Sequence, residues 1–296
     1  WDSKFYLDGV PIPMLYHFGG IKSTYNSEAL ESVDLYPGGY SSRYGNSVAG
    51  VIELQSRNAD RQRAKGFADV NLFDATFFAE GPVGSRGGIL ANVRRSYFGD
   101  ILGVVVKKIG DKLNMPISVV PYYYDYTVRA DVDLDAENKL FMTLFGSKDE
   151  LNMIVPFMRG GSTEVDQVVD RLENINAFNM AMLGWDFSVG RWVNSLRAAV
   201  VQREGLGSIF GYAKWTYEAW EYLLRAEASC KISPQIKLTT GTDLWLQPYY
   251  HYAIFPSSDK TFFHDTMKTT FGLIGPYLQL EYNPIPDLYI IPGLRY

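Results

Sequence analysis

With a single cysteine, Cys230, in 296 residues, the chain can form no internal disulfide and no multi-cysteine metal site. Basic residues are not in surplus either: 28 Lys and Arg against 33 Asp and Glu give a net charge of -5. No Lys/Arg stripe breaks that balance, so nucleic acid finds no electrostatic footprint and is not an expected partner. No run reaches the roughly 18 to 20 apolar residues that a spanning helix needs. The best candidate, Ile101 to Val106, is interrupted by Gly103 and stopped by Lys107 and Lys108, which excludes a helical membrane protein. Chemistry is equally thin. No serine sits in a nucleophile elbow. Asp131, Asp133 and Asp135 have the spacing that opens a calcium loop, but Ala136 and Met142 stand where that loop needs Gly and Glu. The chain reads as no enzyme, with no cofactor and no metal.

Aromatic residues, by contrast, are plentiful: 21 Tyr, 17 Phe and 6 Trp make 15% of the chain. Amphipathic rings are wanted where a protein passes from hydrocarbon to water. A hydrophobic share of 47% with a mean hydropathy of -0.11 also removes the disordered class.

The strongest physical signal is a period of two. From Tyr122 to Leu134 one parity reads Tyr122, Tyr124, Tyr126, Val128, Ala130, Val132, Leu134, and the other Tyr123, Asp125, Thr127, Arg129, Asp131, Asp133. Sustained this far, the alternation predicts a strand with one oily and one wet face. It recurs at Trp220 to Ala228, where Trp220, Tyr222, Leu224, Ala226 and Ala228 oppose Glu221, Arg225 and Glu227, and from Ile236, where Leu238, Leu244 and Leu246 oppose Lys237, Thr239, Asp243 and Gln247. Weaker versions run through Ala177 to Val189, Val193 to Arg203 and Leu278 to Tyr282. Soluble sandwich strands run about 5 to 6 residues and tilted membrane crossings about 9 to 11, and several of these stretches reach the longer figure.

Connections point the same way. Tight links at Gly81 to Gly84, Asp135 to Asn138, Gly190 to Trp192, Ser233 to Gln235 and Asn283 to Asp287 alternate with long ones near 98–120, 148–174, 204–215 and 249–266, the habit of outer-membrane barrels. Counted from Gly66, with Gly66–Phe73 and Asp74–Glu80 as two, there are about eleven strands. Open edges are not viable in lipid, so more strands are expected after Tyr296. Ile101 to Lys112 reads either as a short amphipathic helix in an external loop or as a loop turn. The opening Trp1-Asp2-Ser3-Lys4 and the closing Gly293-Leu294-Arg295-Tyr296 both look cut from strand-like stretches.

Residues 5 to 57 differ in kind, being dense in glycine and turn signals. Phe5-Tyr6-Leu7-Asp8-Gly9-Val10-Pro11-Ile12 resembles a strand and turn of the plug domain of TonB-dependent receptors. Glu31 to Gly38-Gly39, then Arg43-Tyr44-Gly45 and Ala49-Gly50-Val51-Ile52-Glu53-Leu54, resembles the end of that plug where it leads into the barrel. Gly81-Pro82 is similar to the family's early barrel. The match covers roughly the first fifth of the chain. Departures exist: Pro37-Gly38-Gly39 stands where many members have Arg-Gly-Pro, and Ser47-Val48-Ala49 replaces a more Gly-rich stretch.

The resemblance implies an all-β protein: a transmembrane antiparallel β-barrel, of the 22-stranded type when complete, with an N-terminal plug in its lumen. Residues 1–57 would be the C-terminal part of the plug and 58–296 the N-terminal half of the barrel, meeting near the polar run Arg57 to Arg63. Asp8, Gly9, Gly38, Gly39, Tyr44, Gly45 and Gly50 form the plug signature, its glycines serving positive φ or close approach to the wall. Arg43, Arg57, Glu31 and Glu53 in the plug segment, and Arg94, Arg129, Glu221, Arg225 and Glu227 on the inner wall, are candidates for plug-to-wall ion pairs or simply line a solvated lumen. His17, His251 and His264 lack partners at ligand spacing and are expected at plug or loop surfaces. Cys230 shares the parity of Leu224 and is expected toward lipid.

By the same resemblance, the protein would sit in the bacterial outer membrane, in contact with its lipid. It would take up a siderophore, cobalamin, a carbohydrate or a peptide, with energy from a periplasmic or inner-membrane TonB-like partner acting on a peptide before Trp1. The alternative is a receptor-like barrel acting as a scaffold in an envelope machine for gliding, secretion or surface assembly, with an outer-membrane lipoprotein or envelope complex as partner. A more distant reading is a soluble sandwich or propeller with adhesive loops.

Overall fold

A computed structural model of the chain describes residues 3–20, 22–113, 118–157, 168–209, 213–256 and 262–296. The N-terminal part holds six short strands, β1 (Lys4–Leu7), β2 (Val10–Ile12), β3 (Tyr16–His17), β4 (Lys22–Ser23), β5 (Leu30–Tyr36) and β6 (Val51–Ser56). Four of them form a sheet in the order β2-β1-β6-β5, with β1 parallel to β6, and β3 and β4 make a separate hairpin. Asp8 and Gly9 turn β1 into β2 with φ of 50° and 87°, the left-handed pair that a two-residue hairpin requires and that Asp-Gly supplies at low cost.

The rest is one antiparallel sheet. β7 (Lys65–Val70), β8 (Asp74–Val83), β9 (Gly87–Ser96), β10 (Ser118–Asp133), β11 (Asn138–Phe157), β12 (Val168–Val189), β13 (Trp192–Ile209), β14 (Ala213–Ser233), β15 (Ile236–Pro256) and β16 (Phe262–Ile285) each pair with the next in sequence. β17 (Leu288–Ile290) and β18 (Gly293–Arg295) both pair with β16 and are two halves of one crossing broken near Pro292. Ten strands and one broken strand make eleven crossings, the number the alternation predicts. A helix, α1 (Phe98–Leu113), joins β9 to β10. It settles the helix-or-turn alternative for Ile101 to Lys112. No helix among the described residues is long and apolar enough to cross a membrane.

Register explains the two faces. Ile89, Ala130, Met142, Leu183, Ala198, Leu224, Leu244 and Ile274 stand opposite one another on eight successive strands and form an apolar belt. Leu183 is 60% exposed, Leu224 45% and Ile274 67%, while Asp125 and Thr127 on the other parity are 0% and Arg129 is 2%. Oily residues outside and charged ones buried inside invert a soluble protein, and such a belt is the face that a membrane barrel turns to lipid. Glycines on the crossings are covered by rings from the neighbouring strand, as where Tyr126 lies across Gly146 and Trp215 across Gly207. Cys230, on the belt parity, is nonetheless buried.

The long links are shorter than the sequence suggests. β13 runs to Ile209 before β14 begins at Ala213, and β15 runs to Pro256 before β16 begins at Phe262. Most of the expected loops 148–174, 204–215 and 249–266 is therefore strand. Their centres, 158–167, 210–212 and 257–261, lie outside the described residues, as does 114–117 of the first loop. Strands of 18 to 24 residues exceed the ~9 to 11 needed for a tilted crossing, enough to project past a bilayer on that side.

The core lies between the two parts. Leu7, Val10, Leu15, Tyr25 and Leu54 of the N-terminal domain pack with Phe78, Leu90, Phe141, Phe145, Phe178, Met182 and Val201 of the wall. Since β8, β9, β10, β11, β12, β13, β14 and β16 all reach one small domain, the sheet must curl around it. The belt gives a direct test. Leu224→Arg is expected to cost roughly 2 to 4 kcal/mol if it lies near mid-bilayer, read from urea unfolding in lipid vesicles; an unchanged midpoint would contradict the lipid-facing assignment.

Candidate functional site: the seam between domain and wall

The inward parity of the wall carries charge, and the N-terminal domain presents partners at matching heights. The Asp8-Gly9 turn is the centre. The Asp8 carboxylate accepts from the backbone N–H and hydroxyl of Ser56, at 2.8 and 2.6 Å, and from Arg129 Nη1 of β10 at 3.0 Å. Its carbonyl accepts from Arg197 Nε of β13 at 3.1 Å, and the carbonyl of Gly9 from Arg225 Nη1 of β14 at 3.1 Å. Arg129 and Arg197 also flank the ring of Phe141, at 4.0 and 4.8 Å. Beneath the turn, Glu53 Oε1 accepts from the N–H of Gly9 at 2.7 Å. Burial pushes the Glu53 carboxyl above the usual range, against the pull of Arg43 and that N–H.

Further ties ring the seam. Arg43 Nε lies 3.2 Å from Glu227, beside Arg225, whose Nη2 reaches the carbonyl of Arg43 at 2.9 Å. Arg57 grips Glu80 of β8 through two parallel bonds of 2.7 and 2.8 Å, the strong fork geometry. Arg61 bridges Asp131 and Asp133, the residues whose spacing mimics a calcium loop. The last tie is His17, fully buried, with Nδ1 2.5 Å from Asp149 of β11 and Nε2 3.1 Å from Asp125 of β10. Arg94 Nε donates to Asp125 at 2.7 Å, the Phe18 N–H donates to Asp149 at 2.7 Å, and the Tyr123 ring stacks on His17 at 4.2 Å. Lys22 reaches Asp74 at 2.7 Å next to it. Burial alone would lower the His17 pKa, but bonds to Asp125 and Asp149 and their charges raise it.

Several candidates sit elsewhere than expected. Glu31 is exposed on β5 and joins no ion pair among the described residues, because β5 is the outer strand of its sheet. Glu53 bonds within its own domain, and Glu221 pairs with Arg203 of the wall at 2.9 Å rather than with the plug segment. Gly39 has φ of 61°, a Cβ at Gly45 would displace the Arg295 guanidinium and one at Gly50 would crowd the Tyr36 carbonyl at 3.1 Å, but a side chain at Gly38 would meet open space. Tyr44 is buried, its ring 5.0 Å from Tyr6. His17 corrects the expectation of a surface histidine, and nothing in its local sequence marks it. Asp125 and Asp131 were visible only as inward parity.

Above the Asp8 turn a cavity of about 840 Å³ separates domain and wall, with Met14, Tyr16 and Phe18 on one side and Arg203, Glu221 and Trp245 on the other. The Trp245 indole N–H is buried without an acceptor among the described residues.

A four-stranded domain tied inside a curled antiparallel sheet recurs in solved structures. Fiu, the ferric-catecholate import receptor of E. coli K12, superposes with a TM-score of 0.59 at 10% identity, covering 98% of this chain and 62% of that one. The fold is that of a TonB-dependent receptor. FpvA of P. aeruginosa, in complex with iron and a heterologous pyoverdine, gives 0.67 at 12%, covering 99% and 44%, and the copper transporter OprC gives 0.67 at 12%, covering 99% and 46%. This chain thus spans about half the length of the TonB-dependent receptors it matches. No protein-family profile and no curated protein sequence matches it. In TonB-dependent receptor terms, the N-terminal sheet is plug and the large sheet is barrel wall.

Proposed function

We propose that the complete protein is an outer-membrane receptor that imports a scarce solute using energy from a periplasmic or inner-membrane TonB-like partner. The observation that carries this reading is the seam itself. The plug lies across the inner face of the wall, and its hold combines an apolar cluster with a ring of discrete polar ties. Linked polar ties strengthen one another and are costly when half-made, which suits a plug that must reseat in one defined position. The cavity beside the Asp8 turn would take the solute, a siderophore, cobalamin, carbohydrate or peptide, and its mixture of apolar plug residues with Arg203, Glu221 and Trp245 suits a ligand of mixed polarity.

The test is growth on a limiting nutrient. Strains lacking this protein, or lacking the inner-membrane energy transducer, should show the same defect, and the double deletion should be no worse. If deletion instead disturbed assembly of a surface machine while uptake stayed intact, the protein would be a scaffold.

A further inference from the structure

One surface is left unexplained by the seam. At the long-loop end of the wall, α1 packs against β10: Gly99 sits against the Pro121 carbonyl, a Cβ on Gly103 would come within 3.5 Å of Val120 Cγ2, and the Tyr122 hydroxyl donates to Asp100. Val120 and Tyr122 lie on the even parity of β10, the parity of Tyr124, Val128 and Val132, while Tyr123 between them turns inward onto His17. The helix therefore lies against the outside of the wall, not over the lumen. Phe98 at its start meets the half-exposed Phe73 ring at 5.2 Å.

Leu102, Gly103 and Val106 take the wall side and are partly covered. Ile101, Val105 and Ile109, spaced as one helical stripe, are exposed at 43%, 49% and 49%. Lys108 borders that stripe and Lys112 falls within its arc a turn further on, Val104, 56% exposed, lies on the far side of Lys108, and Asp100, Lys107 and Asp111 form the polar arc beyond it. This stripe continues, on the same side of the wall, the belt that meets lipid. An amphipathic helix with basic residues beside its apolar face is the form that lies in a membrane interface, and lysines at that level are attracted to anionic head groups.

We propose that α1 is an interfacial helix, seating Ile101, Val105 and Ile109 in the outer leaflet with Lys108 and Lys112 on lipid phosphates. The inference rests on the reading of the wall as a membrane barrel, and the experiment separates the two. In full-length protein carrying Cys230→Ala, nitroxide labels are placed by Ile101→Cys, Val105→Cys, Ile109→Cys, Lys107→Cys and Leu224→Cys. The protein is reconstituted in vesicles of phosphatidylcholine alone or with phosphatidylglycerol. Collisions with oxygen should exceed those with a water-soluble nickel chelate several-fold at 101, 105, 109 and 224, and the order should reverse at 107. Water-phase behaviour at 101, 105 and 109 with 224 still in lipid overturns the helix proposal alone, and so does shielding from both colliders, which would mean protein covers the stripe. A wet label at 224 overturns the membrane reading as well. Lys108→Glu with Lys112→Glu should move the label at 105 toward water in phosphatidylglycerol vesicles, and equal depth in both variants would remove the phosphate contacts.

Discussion

Replacing Asp8 by Ala is expected to destabilise the docked plug by about 3 to 5 kcal/mol, because it leaves the Arg129 guanidinium buried without its carboxylate. Arg129 is 3% exposed at the side chain and 3.0 Å from Asp8, and on the wall it keeps only the neutral hydroxyl of Thr143 at 3.1 Å and the face of Phe141. Two backbone effects add to the loss. Ser56 would lose the acceptor for its N–H, and Ala at φ of 50° carries a penalty of roughly 1 to 2 kcal/mol that Asp and Asn largely escape. Asp8→Asn should therefore fall between wild type and Ala, keeping the turn and an acceptor while losing the charge. Arg129→Met alone should cost less than Asp8→Ala. The Asp8 carboxylate would still be held by Ser56, and methionine would fill space against Phe141. The measurement is denaturant unfolding of the full-length protein, with hydrogen exchange at Ser56 as a local reporter. A cost below about 1 kcal/mol for Asp8→Ala, the level of an exposed pair, would show that the turn is not an anchor.

What the sequence discloses, and what it hides, follows from where each residue meets two different solvents. Between Tyr122 and Leu134 one parity touches lipid and the other touches the plug, so the alternation is clean and β10 could be read from it. β13 beyond Gln202 and β15 beyond Tyr249 run past the length that a tilted crossing needs. Where a strand has no oily medium on one side nothing enforces a period of two, and these extensions read as loops. The Asp8-Gly9 turn was legible because the backbone conformation restricts residue choice. The ties were legible only by half: parity places Arg129, Arg225 and Asp125 inward, but their partners lie up to 216 residues away and no local pattern records which plug group arrives at which height. His17 is the extreme case. A lone histidine after a tyrosine has no spacing to read, and its role comes entirely from two aspartates on strands more than a hundred residues later.

The His17 tie should also make plug docking depend on pH, and its sign can be worked out from charge. Asp125 and Asp149 bring two negative charges to a dry pocket, and Arg94 supplies one positive charge in contact with Asp125. Lys22 and Asp74 close by neutralise each other. Only protonated His17 balances the pocket, and with both ring nitrogens facing carboxylates only the imidazolium can donate to both. Its pKa is accordingly raised in the folded protein. A raised folded pKa means stabilisation that is fully present below the unfolded value, about 6.5, and is lost as pH climbs through the folded value. His17→Ala is expected to cost about 3 kcal/mol or more below that pH, since it strands a buried carboxylate. The gap from wild type should narrow on the alkaline side, where neutral His17 keeps one donor and loses the other. Protection of the Phe18 N–H relative to its intrinsic exchange rate, which reports on the Asp149 contact, should follow the same curve in wild type and be flat in the variant. A constant gap between the two proteins across that range would mean that His17 holds the plug by packing against Tyr123 and not by its charge.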